Sequence, residues 1–333
     1  MDPFINKLQD NPLLRLVGSI AQKNKIQVYL VGGFLRDLIL GRAKEDFDLD
    51  FTLKKDAIKF AKSVAGKLKA DFVVLDKERG CARLIYNQAD KISTLDFADF
   101  RDETLEKDLA RRDFTINTLA IDLGKINQKA KFNQVIINRH NGLKDLESGV
   151  IRTVSQFSLG EDPLRIVRAF SLAAILNFKI ESQTIKKIKQ LKDKIPTVAY
   201  ERIRDELFKI LEVDNSIAYL KLMDSYKVLE KIIPHINVMR NVQQGSYHHL
   251  DVWNHSLETV LQLEKIFKEK EITDNFDMEN YLGQDIVFNR SRKALMKLGA
   301  LLHDIGKPKA KLQKDGKTLF YGHERIGKEI TKN

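Results

Sequence analysis

The stretch Val28–Phe51, "VYLVGGFLRDLILGRAKEDFDLDF", decides the fold. It opens on an apolar run that ends in Gly32-Gly33 and passes through the helix-like "FLRDLILG". It closes on Asp46, Asp48 and Asp50, set alternately with Phe47, Leu49 and Phe51. Successive side chains of a strand point to opposite faces, so the three carboxylates share one side and the apolar residues enter the core. Neighbouring carboxylates repel one another unless a cation neutralises them. Hard oxygen ligands of this kind suit Mg²⁺, which takes one or two carboxylates together with substrate phosphates. A solvated edge strand that happens to carry acids is the plain alternative for a bare D-x-D. The upstream glycine pair changes the balance. A Gly-Gly turn before a helix exposes backbone N–H groups and lets a triphosphate approach. Turn and strand together predict one site for phosphoryl or nucleotidyl transfer.

Outward from this stretch the pattern stays mixed. A helix is predicted over about 12–23 and another in "KKDAIKFAKSVAGKLK", with strands in "DFVVLD", "ARLIY" and "STLDFADF". That alternation argues an α/β or α+β domain of modest size. From about Glu161 the periodicity is helical almost throughout, and "EDPLRIVRAFSLAAIL" places Pro163 in a first turn. The polar run over 268–285 reads as a loop or insertion. With 333 residues the chain is long enough for two or more domains. No apolar run reaches the length of a membrane span. The start "MDPFINKLQD" shows no secretory signal, and the single cysteine, Cys81, excludes an internal disulfide and reads as a small core residue. A cytoplasmic protein without membrane attachment is therefore expected. The net charge of +11 suggests a polyanionic partner. Lys186, Lys187, Lys189, Lys192 and Lys194 crowd one predicted helix, which is either a solvated face or a phosphate-binding one.

The Gly-Gly turn followed by D-x-D resembles the nucleotidyltransferase superfamily that includes DNA polymerase beta. There a third acid comes from a later strand, and "TLDFADF" offers Asp96 for it, with Asp99 nearby. The family's spacing after Gly41-Arg42 selects Asp46 and Asp48 as the metal pair, with Asp50 as a neighbour. The pair Asp48 and Asp50 has the same alternation. Further blocks narrow the resemblance. "RRDFTINT" (111–118) is similar to the R-R-D-F-T-x-N-A block of class II tRNA nucleotidyltransferases and bacterial poly(A) polymerases, with Thr118 where Ala is usual. "NGLKDL", with Gly142 and Asp145, resembles the G-x-x-D-L turn of those enzymes; "EDPLR" their E-D-x-x-R helix; "ERIRDELFKIL" their neck-bracing helix. Five blocks in the family's order span roughly residues 28 to 211.

This resemblance implies an α+β chain with an N-terminal mixed-sheet nucleotidyltransferase head over 1–148, a helical neck over 149–212 and a helical body over 213–333. It implies transfer of C-C, or C-C-A, from CTP and ATP to the 3′ end of tRNA, with Mg²⁺ as cofactor. Asp46 and Asp48 would hold metal, with Asp50 and Asp96 beside them. Gly32, Gly33, Arg36 and Asp37 would form the phosphate-side turn and its brace. Arg111, Arg112, Asp113 and Asn117, read as a cluster at a helix start, would contact nucleotide or stabilise the site. Asp162 and Arg165, three apart on one helical face, would select the base, with Arg168 one turn on. Without the resemblance, a capping acid and an i,i+3 ion pair would be the default for that pair. The segment "ADFRDETLEKDL" is short beside the loop expected of complete C-C-A enzymes, which leans towards C-C addition.

The late histidines resemble an HD phosphohydrolase domain. His255 and the adjacent His303-Asp304 would hold a transition metal, and His323 fits a further position. The family's later Asp ligand has no counterpart before Asn333, so a partial HD domain is expected, with a metal-free remnant as the alternative. His235, His248 and His249 read as ordinary core or surface residues. The rival functions are a poly(A) polymerase, whose "GRRF"-like block is not found, an HD phosphohydrolase with an inactive head, and a silent RNA-binding protein.

Overall fold

A computed structural model describes residues 3–42, 48–88, 91–126, 131–245, 249–268, 277–288 and 290–332. The chain divides into two units, Met1–Ser158 and Leu159–Asn333.

The first unit begins with α1 (Pro3–Asp10) and α2 (Pro12–Lys23). Asn11 starts α2 by accepting the N–H groups of Leu13 and Leu14 at 3.0 and 3.1 Å, and Pro12 supplies a preset first turn. A mixed sheet follows. Its strands are β1 (Val28–Val31), β2 (Asp48–Leu53), β3 (Asp71–Asp76), β4 (Cys81–Gln88), β5 (Lys91–Asp99), β6 (Ala120–Asp122) and β7 (Ile136–Ile137), in the spatial order β3-β4-β5-β2-β1-β6-β7. β2 and β5 run parallel and the other pairs antiparallel. That parallel pairing needs a crossover, which α4 (Ala57–Leu68) and the β3–β4 hairpin provide. Leu49 and Phe51 of β2 are buried with Leu95 and Phe97 of β5, and the two phenyl rings stack at 4.8 Å. Phe60 of α4 meets Phe97 edge-on at 5.7 Å. The apolar half of the predicted alternation therefore enters the core. Asp46 and Phe47 lie outside the described residues.

After α3 (Gly33–Ile39), α5 (Leu105–Ala110) and α6 (Gly142–Glu147) of the first unit, the second unit is mainly helical: α7 (Leu164–Leu176), α8 (Ser182–Leu191), α9 (Tyr200–Glu212), α10 (Ser216–Ser225), α11 (Val252–Lys268), α12 (Arg292–Leu302), α13 (Lys307–Ala310) and α14 (His323–Lys332). This half is helical almost throughout, as expected, and also holds two small hairpins, Asp285–Val287 with Arg290–Ser291 and Leu312–Lys314 with Lys317–Leu319. The second turns through Asp315-Gly316, both at positive φ (51° and 72°), as an Asp-Gly hairpin turn requires. Within the run read as a loop, Met278–Gly283 is a helix, and 269–276 lie outside the described residues.

One buried ion pair ties four of these helices. Lys297 of α12 is fully buried, and its Nζ donates to Glu264 of α11 at 2.9 Å and to the Val213 carbonyl at 2.6 Å. Glu264 Oε1 accepts Ser216 N (2.7 Å), Ser216 Oγ (2.6 Å) and Ile217 N (3.3 Å), so it caps α10 where that helix follows α9. Burial pushes the Lys297 pKa down, and the bond to Glu264 opposes this. No helix among the described residues is long and apolar enough to cross a membrane.

Candidate active site

The acidic face of the head is built by register. β2 pairs β1 with Asp50 opposite Val31, and pairs β5 with Asp48 opposite Thr94 and Asp50 opposite Asp96. Asp48 is exposed and Asp50 half-buried. Thr94 Oγ donates to Asp48 Oδ1 at 2.5 Å. The turn after β1 meets the same face. Gly32 has φ +83°, and a Cβ there would lie 2.6 Å from Asp50 Oδ2. Only glycine offers both that backbone geometry and that closeness. Described members of the ladder are thus Asp48 and Asp50. The third, Asp46, lies outside the described residues, so the choice of metal pair rests on spacing.

Asp96 is beside Asp50, as the strand reading requires, yet it is already engaged. Arg83 of β4 grips it with two bonds of 2.7 Å, Nε to Oδ1 and Nη2 to Oδ2. The Arg83 guanidinium is pushed above its ordinary pKa first by those bonds, and further by the charges of Asp48 and Asp50. Arg83 escaped the sequence reading because only the β4–β5 register, Arg83 opposite Asp96, brings it to the acids. Asp99 serves the fold instead: it accepts the Ala57 N–H at 2.7 Å at the start of α4.

The glycine turn leads into α3 (Gly33–Ile39). Arg36 of α3 is buried, and it donates through Nε and Nη2 to Asp37, both at 2.8 Å, and through Nη1 to Asn117 Oδ1 at 2.9 Å. Asn117 donates in turn to Asp113 Oδ1 at 3.1 Å. Arg36, Asp37, Asp113 and Asn117 are therefore one linked brace under the turn. Arg111 and Arg112 follow α5 (Leu105–Ala110) and mark a helix end, not the expected helix start. Cations complement that end of the dipole. Arg111 lies 3.5 Å from Asp102 and Arg112 4.0 Å from Asp108. The chain then turns once through Thr115–Asn117. Asp145 of α6 (Gly142–Glu147), itself buried, fixes that turn by accepting Thr115 Oγ1 at 2.6 Å. A Cβ on Gly142 would meet the Thr115 carbonyl at 2.4 Å, which accounts for the glycine. Thr118, the departure from Ala, is buried with its hydroxyl bonded to the same carbonyl at 2.7 Å.

In the second unit Asp162 precedes α7 and does not share a helical face with Arg165. Its Oδ1 accepts the Leu164 N–H at 3.2 Å. Arg165 is buried and reaches back to Glu161 at 3.8 Å. Arg168 lies 3.9 Å from Glu206, which also bonds Ser171. The basic side chains of α8 project from a helix whose buried residues are Thr184 and Ile188.

The histidine cluster converges on Asp304, which is buried. Nε2 of His303 is 3.0 Å and Nε2 of His255 3.6 Å from its Oδ2, and Nε2 of His323 is 3.5 Å from Oδ1. Lys307 Nζ lies 2.8 Å from Oδ2. Burial alone would raise the Asp304 pKa; bonds from His303 and Lys307 outweigh it and hold the group at about 2. His303 is pushed up by its bond to Asp304. Asp304 lies sealed from solvent between His255 and His303, and imidazoles with a carboxylate are a transition-metal donor set. Ni²⁺ titration of the chain is expected to show a bound ion that His303→Ala loses; equal binding by both would refute the assignment. His235 is half-buried, His249 exposed, and His248 lies outside the described residues.

Comparison with known proteins bears on the whole length. Residues 28–152 match the family described as "Poly A polymerase head domain", 177–239 "Probable RNA and SrmB- binding site of polymerase A" and 252–333 "HD domain". An A-adding tRNA nucleotidyltransferase of Deinococcus radiodurans is 30% identical over 309 residues, covering 91% of this chain and 62% of the relative. A CC-adding tRNA nucleotidyltransferase of Synechocystis is 40% identical over 185 residues, 56% of this chain and 42% of the relative. A multifunctional CCA protein of Neisseria gonorrhoeae is 30% identical over 312 residues, 91% and 67% respectively. The chain thus spans 62% and 42% of the first two relatives. The solved Thermotoga maritima CCA-adding enzyme complexed with tRNA superposes with a TM-score of 0.68 at 26% identity, covering 99% of this chain and 68% of that one.

Proposed function

From the premise that the chain belongs to the tRNA nucleotidyltransferase family with a poly(A) polymerase-type head, we propose that it adds C-C to the 3′ end of tRNA from CTP. The observation that carries this reading is the meeting of the Asp48–Asp50 face with the glycine turn at Gly32. A triphosphate needs close backbone approach, and its metal needs hard oxygens beside it. A divalent cation, Mg²⁺ by donor chemistry, would be held by Asp48 with Asp46 or Asp50, and would supply charge for attack of the tRNA 3′ hydroxyl on the α-phosphorus with loss of pyrophosphate. Arg36 and Asn117 keep the glycine turn in place. Asp162 and Arg165 choose the base, since a carboxylate accepts from the cytosine amino group and a guanidinium donates to the ring acceptors. The lysines of α8 hold the RNA backbone.

The lean to C-C rather than C-C-A rests on the link between β5 and α5. It runs from Phe100 to Thr104 and is tied down: Arg101 N donates to Asp108 at 2.9 Å and Thr104 caps α5. A short, tethered link has little reach to reshape a pocket between additions. A partner enzyme would then supply the terminal A. The test is a tRNA ending before the first C, offered CTP and ATP together. Product stopping at C-C is expected. Efficient extension to C-C-A by this chain alone would overturn the specificity, and no labelled product at all would favour a silent RNA-binding protein.

A further inference from the structure

The acid assigned to base choice has a partner within "ERIRDELFKIL", the run that resembles the neck-bracing helix. Arg202, in the first turn of α9, donates through Nη2 to Asp162 Oδ2 at 2.8 Å, with Nη1 3.5 Å from Oδ1. Contacts between the two helices advance in step, Asp162 with Arg202, then Arg168 with Glu206, so α7 and α9 run side by side in the same direction. Both N-termini therefore lie at one end. A carboxylate is favoured there and a cation is not, since the helix dipole is positive at its start. Stability gives little reason for the arginine. Its side chain is 53% exposed and that of Asp162 31%, and exposed pairs of this kind contribute little to stability. What the pair does achieve is orientation. Asp162 Oδ1 is fixed by the Leu164 N–H and Oδ2 by the guanidinium, which pins the carboxylate plane from two sides.

We propose that Arg202 is a positioning residue for base choice: it holds the Asp162 carboxylate in one orientation, with lone pairs left to accept an amino group of the incoming base. A carboxylate has about four acceptor sites, so the arginine and a base amino group bind it together. Cytosine presents such a donor, and uracil presents a carbonyl at the same place. The orientation matters because a hydrogen bond to the base discriminates only when the acceptor cannot rotate away. The inference rests on Asp162 reading the base, as proposed above.

The test measures kcat/KM for CTP and for UTP on a tRNA ending before the first C, in the parent chain and in Asp162→Ala, Arg202→Gln and Arg202→Lys, each checked for an unchanged melting temperature. Arg202→Gln is expected to lower the CTP:UTP ratio about tenfold, the size of one good base contact. Arg202→Lys should restore part of it, because lysine keeps the charge and loses the fork. A merely structural arginine would change both substrates alike and would not be rescued by charge. Loss of selectivity in Asp162→Ala with full selectivity in Arg202→Gln would overturn the role of Arg202 and leave Asp162 in place. Full selectivity in Asp162→Ala would overturn both.

Discussion

Asp48→Asn is expected to abolish nucleotide addition while leaving the fold and tRNA affinity as they are. Asp48 is common to both readings of the ladder, Asp46 with Asp48 and Asp48 with Asp50, so the outcome does not depend on which is right. The substitution keeps the shape and an acceptor for Thr94, whose 2.5 Å bond is the contact at stake inside the protein. It removes the charge that a cation needs. Metal assistance supplies several kcal/mol to such transfers, so incorporation of labelled CTP should fall on the order of a thousandfold. Parallel variants then sort the register. An inactive Asp46→Asn with an active Asp50→Asn points to the spacing-based pair, and the reverse points to the pair of the described strand. Near-normal turnover of Asp48→Asn with Mg²⁺ would mean that this face is not the site.

Glu264→Ala should be the most destabilising single change in the second unit. It leaves the Lys297 ammonium fully buried without its carboxylate and strips the cap from α10. Breaking one side of a buried pair costs about 3–5 kcal/mol, against well under that for exposed pairs. The double variant Glu264→Leu with Lys297→Met should recover most of the loss, because apolar groups of similar volume remove the uncompensated charge. Urea unfolding of the three chains decides it. A single variant within about 0.5 kcal/mol of the parent, the usual scatter of surface changes, would show that water reaches Lys297 and that the pair is ornamental to stability.

Local pattern carried much of this molecule into view. The alternation of Leu49 and Phe51 with Asp48 and Asp50 announced a strand with one apolar and one acidic face, and the structure buries the first pair. Gly32 reads from sequence as an approach for a triphosphate and Gly142 only as part of a turn, and the contacts that require the glycines, with Asp50 and the Thr115 carbonyl, come from the fold. What the sequence concealed depends on register and long-range pairing. Arg83 reads as an ordinary strand residue until β4 and β5 set it opposite Asp96. Arg202 and Asp162 are 40 residues apart, and Glu264 and Lys297 sit in helices whose charged residues look solvated until their faces are known. Arg111 and Arg112 read from sequence as a helix start, and the chain instead ends α5 there, since Thr104 caps it seven residues before Arg111. The Asp315-Gly316 turn was a missed local signal; a helical context outweighed it.

The parallel pairing of β2 with β5 also sets a timetable. Thr94 and Asp48 meet across 46 residues of chain, and β1 needs β6, whose partner for Tyr29 is Asp122. Ring closures of that length are slow and yield no reward until both strands are present. On the ribosome the amino-terminal strands emerge first and wait. The acidic face is thus assembled only once β5, ending at Asp99, has left the exit tunnel, and a nascent chain stalled before residue 120 would expose β1 along its unpaired edge to other strands.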